Sequence, residues 1–130
     1  MTMSAFDRSP VRIFEKALGG GLGRGNFGVV LSRTGGGKTS FLIGLALDKM
    51  LRGERVLHIS TQETVEHLRA YYDQLLAAMI EMLQLDHRLE RQLDVERRRH
   101  ILVYDRDSFT LDKLRGSVAF LQEASGFAPD

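Results

Sequence analysis

The sequence predicts an α/β fold with a mainly parallel β-sheet flanked by helices. Short apolar runs that suit buried strands alternate along the chain with longer segments whose apolar residues recur at helical spacing. A run of three glycines, residues 35–37, lies between one such strand and the helix that follows it. Strands that alternate with helices imply crossover connections, and these connections produce a parallel sheet with helices on both faces.

The predicted elements follow in the order helix, strand, helix, strand, helices, strand, helix. The expected bounds are helix 11–18, strand 27–31, helix 39–51, strand 56–60, a helical stretch 61–99 with a break near 85–87, strand 101–104 and helix 110–124. Glycines follow three of these helices and are expected to end them. Ser108 or Thr110 is expected to cap the last helix.

The composition is that of a soluble globular protein. The chain has 130 residues, enough for one domain, and we expect an N-terminal arm over 1–10 and a domain over 11–130. The net charge is +1, so no overall field attracts nucleic acid or a membrane. The absence of cysteine excludes disulfides and cysteine-based zinc sites. The chain starts without a signal peptide and contains no apolar run that spans a bilayer, which predicts a cytoplasmic protein.

The stretch LSRTGGGKTS, residues 31–40, has the features of a phosphate-binding loop. Gly37-Lys38-Thr39 follows a predicted buried strand and opens a predicted helix, which is the arrangement that phosphate binding needs. Backbone N–H groups at a helix N-terminus attract an anion, and consecutive glycines allow these groups to form a concave nest. The strict pattern begins with glycine where this chain has Ser32, a small residue that avoids a clash.

This loop supplies the expected nucleotide contacts. Lys38 brings its ammonium group to the outer phosphates, and the Thr39 hydroxyl completes the shell of a Mg²⁺ ion that is otherwise held by water and phosphate oxygens. The loop by itself therefore predicts that a nucleotide phosphate and Mg²⁺ bind here. A glycine-rich turn with an ordinary surface lysine is the alternative. The residues predicted to contact the nucleotide are Ser32, Arg33, Thr34, Gly35, Gly36, Gly37, Lys38, Thr39 and Ser40.

The segment Ala17–Leu47, ALGGGLGRGNFGVVLSRTGGGKTSFLIGLAL, resembles the RecA-like P-loop ATPases, especially their KaiC-like, RadA-like and DnaB-like branches. In that family a segment A-L-G-G-G-[LI]-x-x-G leads into the strand before the phosphate loop, and Ala17–Gly25 fits it. GERVLHISTQET then looks like the next family strand, which ends in a carboxylate beside the terminal phosphate. The resemblance extends over about residues 11–69. It implies a P-loop NTPase fold and ATP hydrolysis in an oligomer that acts on a nucleic-acid or protein client.

The sequence departs from the family at its acidic positions. Aligned on Ser60, the chain has Gln62 and then Glu63 where KaiC-like sequences have two glutamates. Because an amide cannot take a proton from water, Glu63 is the candidate catalytic carboxylate beside Lys38. The equally weighted alternative is that Glu63 is an acid favoured by the dipole at a helix N-terminus. The family also needs a strand that ends in an aspartate near Mg²⁺, and Asp105 after ILVY is a candidate.

The C-terminal pattern favours a different interpretation of Asp105. The helix followed by GFAPD resembles the family's lead-in to the Mg²⁺ strand, so we expect that the chain is cut short before that strand and that the domain is incomplete. An incomplete parallel sheet exposes apolar faces and unpaired backbone, which predicts self-association. Two functions therefore stay open: an ATPase, and a nucleotide-binding or interaction module with little or no hydrolysis.

Two further groups of residues have a structural and a functional interpretation. Arg97-Arg98-Arg99-His100 is a basic run that could contact nucleic-acid phosphates, although the acids nearby favour a solvated helix end. Tyr71-Tyr72 could stack on bases, but an aromatic pair among apolar positions is more often part of a core. The four histidines have no spacing typical of a metal site.

Overall fold

The computed structural model describes residues 10–33 and 37–130, and these residues form an α/β structure. Residues 1–9 of the predicted arm lie outside the described residues, and the tenth begins the first helix. The elements are, in chain order, α1 (Pro10–Ala17), α2 (Lys38–Leu51), β1 (Val56–Ser60), α3 (Val65–Met82), α4 (Arg88–Arg98), β2 (Arg99–Val103) and α5 (Leu111–Ser125).

The two strands form a parallel sheet, as predicted. The register runs from Val56 opposite Arg99 to Ser60 opposite Val103. The backbone N–H of Tyr104 extends the ladder by donating to the Ser60 carbonyl oxygen over 3.0 Å. The carboxyl ends of β1 and β2 therefore lie side by side at one edge of the sheet.

The prediction of a buried strand over 27–31 was wrong. This segment has no regular secondary structure, and Phe27 and Leu31 are each 88% exposed. A strand exists only where a neighbouring chain segment pairs with it, and the described sheet contains β1 and β2 alone. An apolar run without such a neighbour stays extended and solvated, however well its composition suits a strand.

The hydrophobic core lies on one face of the sheet. Helix α2 is at its centre and contacts α3 and α4, and Ile101 of β2 packs against the same cluster. Helix α5 lies along the opposite face beside His100 and Leu102, but none of its residues is buried. The expected cover of helices is therefore substantial on one face only. The buried core residues are Ile43, Ala46, Leu47, Met50, Leu68, Tyr72, Leu76, Ile80 and Val95.

Local signals explain the helix ends. The break predicted near 85–87 is confirmed, because α3 ends at Met82 and His87 takes a left-handed backbone conformation just before α4. Thr110, and not Ser108, caps α5 by accepting a hydrogen bond from the Lys113 N–H. No helix in the described part of the chain is long and apolar enough to cross a membrane.

Ion pairs attach α1 to the C-terminal half of α2. The Asp48 carboxylate is fully buried and accepts hydrogen bonds from Arg12 Nη2 at 2.7 Å and Arg52 Nε at 3.2 Å. Glu15 contacts Arg12 within α1 and lies 3.5 Å from Lys49 Nζ. Because one of these partners is a buried carboxylate, this network fixes α1 against the helix that begins at the predicted phosphate loop.

Much of the basic run at the end of α4 stabilises the fold. Arg98 Nη1 donates to the Met50 carbonyl oxygen over 2.9 Å, a second hydrogen bond to an acceptor in the last turn of α2 that the Gly53 N–H also reaches. The guanidinium carbon of Arg99 lies 4.9 Å from the centre of the Tyr72 ring, a cation–π contact. Tyr72 itself is fully buried, which confirms the core interpretation of that residue.

Candidate functional site

A cavity of about 220 Å³ lies where the first turn of α2 meets the carboxyl end of β1. This is the edge at which parallel α/β sheets bind ligands. Thr39 faces the cavity from α2, and the residues after β1 form the opposite wall. The lining residues are Thr39, Leu42, His58, Ile59, Ser60, Thr61, Gln62, Glu63 and Leu68. The fold thus brings Thr39 together with Gln62 and Glu63, which the sequence separates by more than twenty residues.

The N-terminus of α2 has the backbone geometry that an anion site needs. Gly37 precedes the helix with φ of 84°, a left-handed conformation that glycine adopts without strain. The helix has no side-chain cap, so no side chain of the described residues uses its first N–H groups. These groups, together with the positive end of the helix dipole, are available to a ligand anion.

Lys38 contacts the other end of the predicted loop. Its Nζ donates to the Ser32 carbonyl oxygen over 3.4 Å, which brings the two ends of the segment 32–38 together. Lys38 is exposed and does not line the 220 Å³ cavity. Arg33 is exposed as well, and its carbonyl oxygen accepts a hydrogen bond from the Ser32 hydroxyl. Thr34, Gly35 and Gly36 lie outside the described residues.

Ser40 faces inward rather than towards the loop. Its hydroxyl hydrogen-bonds the Tyr71 hydroxyl, a contact that joins α2 to α3. The residue is half-buried, so its side chain stabilises the packing beneath the site. Only the backbone of Ser40 is left as a ligand contact.

Ser60 shapes the turn that carries Gln62 and Glu63. Its hydroxyl accepts hydrogen bonds from the Gln62 N–H at 3.2 Å and the Glu63 N–H at 3.1 Å. Glu63 directly precedes Thr64, the N-cap of α3, and its carboxylate contacts His67 Nδ1 one turn later. Glu63 therefore lines the cavity, and its carboxylate contacts a histidine in the first turn of α3, so both interpretations of this residue stay open.

Asp105 lies at the same edge of the sheet, just past β2, but outside this cavity. Its carboxylate accepts a hydrogen bond from the Asp107 N–H at 3.1 Å, and its carbonyl oxygen accepts one from the Ser108 N–H. These bonds make Asp105 the first residue of a tight turn. Its exposed carboxylate keeps acceptor capacity, but Asp105 does not line the 220 Å³ cavity that Thr39 lines.

His58 is a cavity residue that sequence reasoning did not assign to the site. It precedes Ser60 by two positions in β1, and such residues share one face of a strand. That period of two was the available signal. His58 Nδ1 lies 2.7 Å from the Tyr72 hydroxyl oxygen, with the two rings at 71° to each other. Burial, and then the nearby Arg99 guanidinium, lower the pKa of His58 below its ordinary value.

A larger and more open cavity, about 690 Å³, lies between β2 and α5. Its walls are mainly apolar and include Leu102, Phe120 and Leu121. It contains none of the residues predicted to bind nucleotide, so the smaller cavity is the better candidate for chemistry.

The donor set at the smaller cavity suits a magnesium ion that is held mainly by a ligand. Among residues 10–33 and 37–130, no group of three or more histidine, aspartate or glutamate side chains is placed to hold a metal. Thr39 offers one hydroxyl oxygen and Glu63 a carboxylate, which are the hard oxygen donors that Mg²⁺ prefers. No family model, curated protein or solved structure matches the chain.

Proposed function

We propose that the chain is an ATP–Mg²⁺-binding module of the RecA-like P-loop class, with the phosphates held at the N-terminus of α2. The supporting observation is the cavity in which Thr39 faces the turn of Gln62 and Glu63. Helix N-terminus and strand end meet there at the carboxyl edge of a parallel sheet, the usual location of a phosphate site in α/β proteins. The glycine at the start of α2 and its uncapped N–H groups add to this support.

Each side chain then has a chemical role. Thr39 would hold Mg²⁺ through its hydroxyl, and the ion would neutralise charge on the phosphates. Lys38 leaves its contact with the Ser32 carbonyl oxygen to neutralise charge on the outer phosphates. Glu63 orients the attacking water from the opposite wall of the cavity.

The RecA-like class further implies ATP hydrolysis within an oligomer that acts on a nucleic-acid or protein client. Exposed apolar side chains support self-association: Phe27 and Leu31 precede the loop, and Leu111 and Phe120 lie on α5 with 71% and 68% of their surface exposed. Apolar residues at such exposure are a common feature of protein contact surfaces when they lie together. The exposed apolar segment 27–31 lies directly before the predicted loop, so assembly and nucleotide binding would involve neighbouring residues.

A second candidate is a nucleotide-binding module that hydrolyses little or no ATP. The Glu63 carboxylate is in contact with His67, which competes with its use as a base. Asp105 accepts a hydrogen bond from its own turn and is not in the cavity. Both candidates require the same phosphate contacts, so they differ only in turnover.

Nucleotide binding is tested first by thermal unfolding with and without ATP–Mg²⁺. At a ligand concentration of 100 times Kd, binding stabilises the native state by about 2.7 kcal/mol, which raises Tm by roughly 10 °C for a domain of this size. We expect Lys38→Ala to abolish this rise. Lys49→Ala, at the other end of the same helix, is the matched control and should keep it. An equal rise in the Lys38→Ala variant would refute this site.

Phosphate release then separates the two candidates. A binding module would release no phosphate above background, whereas an ATPase would show turnover that Glu63→Gln reduces at least 100-fold. If Asp105→Asn abolishes turnover instead, the metal-positioning role belongs to Asp105.

A further inference from the structure

The two ring nitrogens of His58 differ in their hydrogen bonds, because only Nδ1 has a partner among the described residues. Nδ1 is 2.7 Å from the Tyr72 hydroxyl oxygen. Nε2 has no hydrogen-bond partner among the described residues, and it is not one of their fully buried polar atoms. Since His58 lines the cavity beside Thr39, Nε2 is the nitrogen that a ligand can reach.

Tyr72 determines which proton His58 carries. The Tyr72 side chain is fully buried, and His58 Nδ1 is the only hydrogen-bond partner of its hydroxyl among the described residues. A buried hydroxyl that does not donate its proton is costly, so Tyr72 donates to Nδ1. An imidazole that accepts at Nδ1 carries its own proton at Nε2 when neutral. His58 therefore presents an N–H donor at the wall of the cavity.

The surroundings keep the Tyr72 hydroxyl protonated and the His58 ring neutral. Burial raises the pKa of Tyr72 to about 12, so the hydroxyl stays protonated at neutral pH. Burial and the Arg99 guanidinium lower the pKa of His58, so the ring stays neutral. A neutral donor can approach a phosphate oxygen without the cost of burying a further charge.

We propose that His58 Nε2–H donates a hydrogen bond to an oxygen of the terminal phosphate and so distinguishes a nucleoside triphosphate from a diphosphate. The proposal rests on the function proposed above. His58 shares its wall of the cavity with Ser60, Gln62 and Glu63, and the α2 N-terminus with Thr39 forms the facing wall. In the function proposed above, Glu63 orients the water that attacks the terminal phosphate, so this phosphate faces the wall that His58 shares with Glu63. Tyr72 acts as a positioning residue because it fixes the tautomer of His58.

The tautomer is measured by ¹⁵N NMR of the histidine side chains in the nucleotide-free protein. We expect His58 to show a protonated Nε2 and an unprotonated Nδ1 at neutral pH. In Tyr72→Phe we expect a mixture of tautomers, because the donor to Nδ1 is gone. A protonated Nδ1 in the wild-type protein would overturn the proposal whatever the nucleotide affinity is.

Ligand discrimination is measured by titration with Mg²⁺ and either a non-hydrolysable ATP analogue or ADP. His58→Phe should weaken the analogue about tenfold, equivalent to about 1.4 kcal/mol, and leave ADP affinity unchanged. His58→Gln is the matched variant, because its amide N–H occupies a position close to that of Nε2–H and should retain most of the discrimination. Circular dichroism spectra of both variants confirm that they fold.

The outcomes separate this proposal from the function on which it rests. If neither nucleotide binds the wild-type protein, both are refuted. If binding is lost in Lys38→Ala but the ratio of analogue to ADP affinity is the same in His58→Phe and wild type, only the role of His58 is refuted. If His58→Phe fails to fold, His58→Ala and the tautomer measured by NMR decide.

Discussion

Replacement of Asp48 by alanine tests how α1 is held against α2. Asp48 is the one fully buried acidic side chain among the described residues, and it accepts hydrogen bonds from Arg12 at 2.7 Å and Arg52 at 3.2 Å. Hydrogen bonds to a charged group contribute about 1.5–3 kcal/mol each. We expect Asp48→Ala to lower the free energy of unfolding substantially. Two corrections make the expected loss smaller than the sum of these two hydrogen bonds.

Both corrections follow from the geometry. The arginine side chains are 19% and 29% exposed, so water can solvate them again once the carboxylate is gone. The second carboxylate oxygen, Asp48 Oδ1, has no hydrogen-bond partner among the described residues, so burial of this group is incompletely compensated in the native state. The expected loss is therefore about 2–4 kcal/mol, against a total stability of about 5–15 kcal/mol for a domain of this kind.

Urea unfolding followed by circular dichroism measures this loss. A double-mutant cycle with Arg12→Ala should give a coupling energy of about 1–2 kcal/mol for the Arg12–Asp48 pair. Lys49→Ala is the matched control, because its contact with Glu15 is longer, at 3.5 Å, and more exposed, and should contribute less than about 1 kcal/mol. A change below about 0.5 kcal/mol in Asp48→Ala would show that α1 is not held by this pair.

Two further predictions concern pH and assembly. The unfolded chain protonates His58 near pH 6.5, and the folded chain does so only at lower pH. The contribution of His58 to the free energy of unfolding should therefore be complete above pH 6.5 and fall as the pH drops below it. Urea unfolding at several pH values measures this dependence, which His58→Gln should reduce. Replacing both Phe27 and Leu31 by serine should reduce the oligomer mass in light scattering without lowering Tm, because both side chains are 88% exposed. Gln122, an exposed polar residue of α5, supplies the control, and Gln122→Ser should leave the mass unchanged. An oligomer that persists in the double variant would exclude segment 27–31 as the contact.

The sequence was sufficient for the elements whose signals are local. Helix α2 and strand β1 lie within one residue of their predicted bounds, because apolar spacing and a following glycine define them without reference to distant residues. The break before α4 was also predictable, since Asp86 and His87 interrupt the apolar pattern there. Thr39, Gln62 and Glu63 lie together because α2 begins and β1 ends at the same edge, a relation that follows from the predicted parallel α/β order.

Features that depend on distant partners were not predictable in this way. Segment 27–31 has the composition of a strand, but strand formation requires a neighbour that no local pattern supplies. The orientation of the His58 ring depends on Tyr72, fourteen residues later on another element, whose hydroxyl oxygen lies 2.7 Å from Nδ1. The arginines at the α4–β2 junction form a basic patch by composition, yet Arg98 and Arg99 act on Met50 and Tyr72 within the fold.

In the proposed function, the conformation of segment 27–31 would also determine how strongly the predicted loop binds phosphate. In P-loop geometry the nest is held from both sides, by the helix after it and by the strand before it. Here α2 follows the predicted loop, while residues 27–31 before it are exposed and have no strand partner among the described residues. A ligand that orders this segment must offset its conformational entropy, about 1–2 kcal/mol for each backbone residue fixed. A partner that pairs with the segment would remove that cost, and by thermodynamic reciprocity the nucleotide would then strengthen the same association.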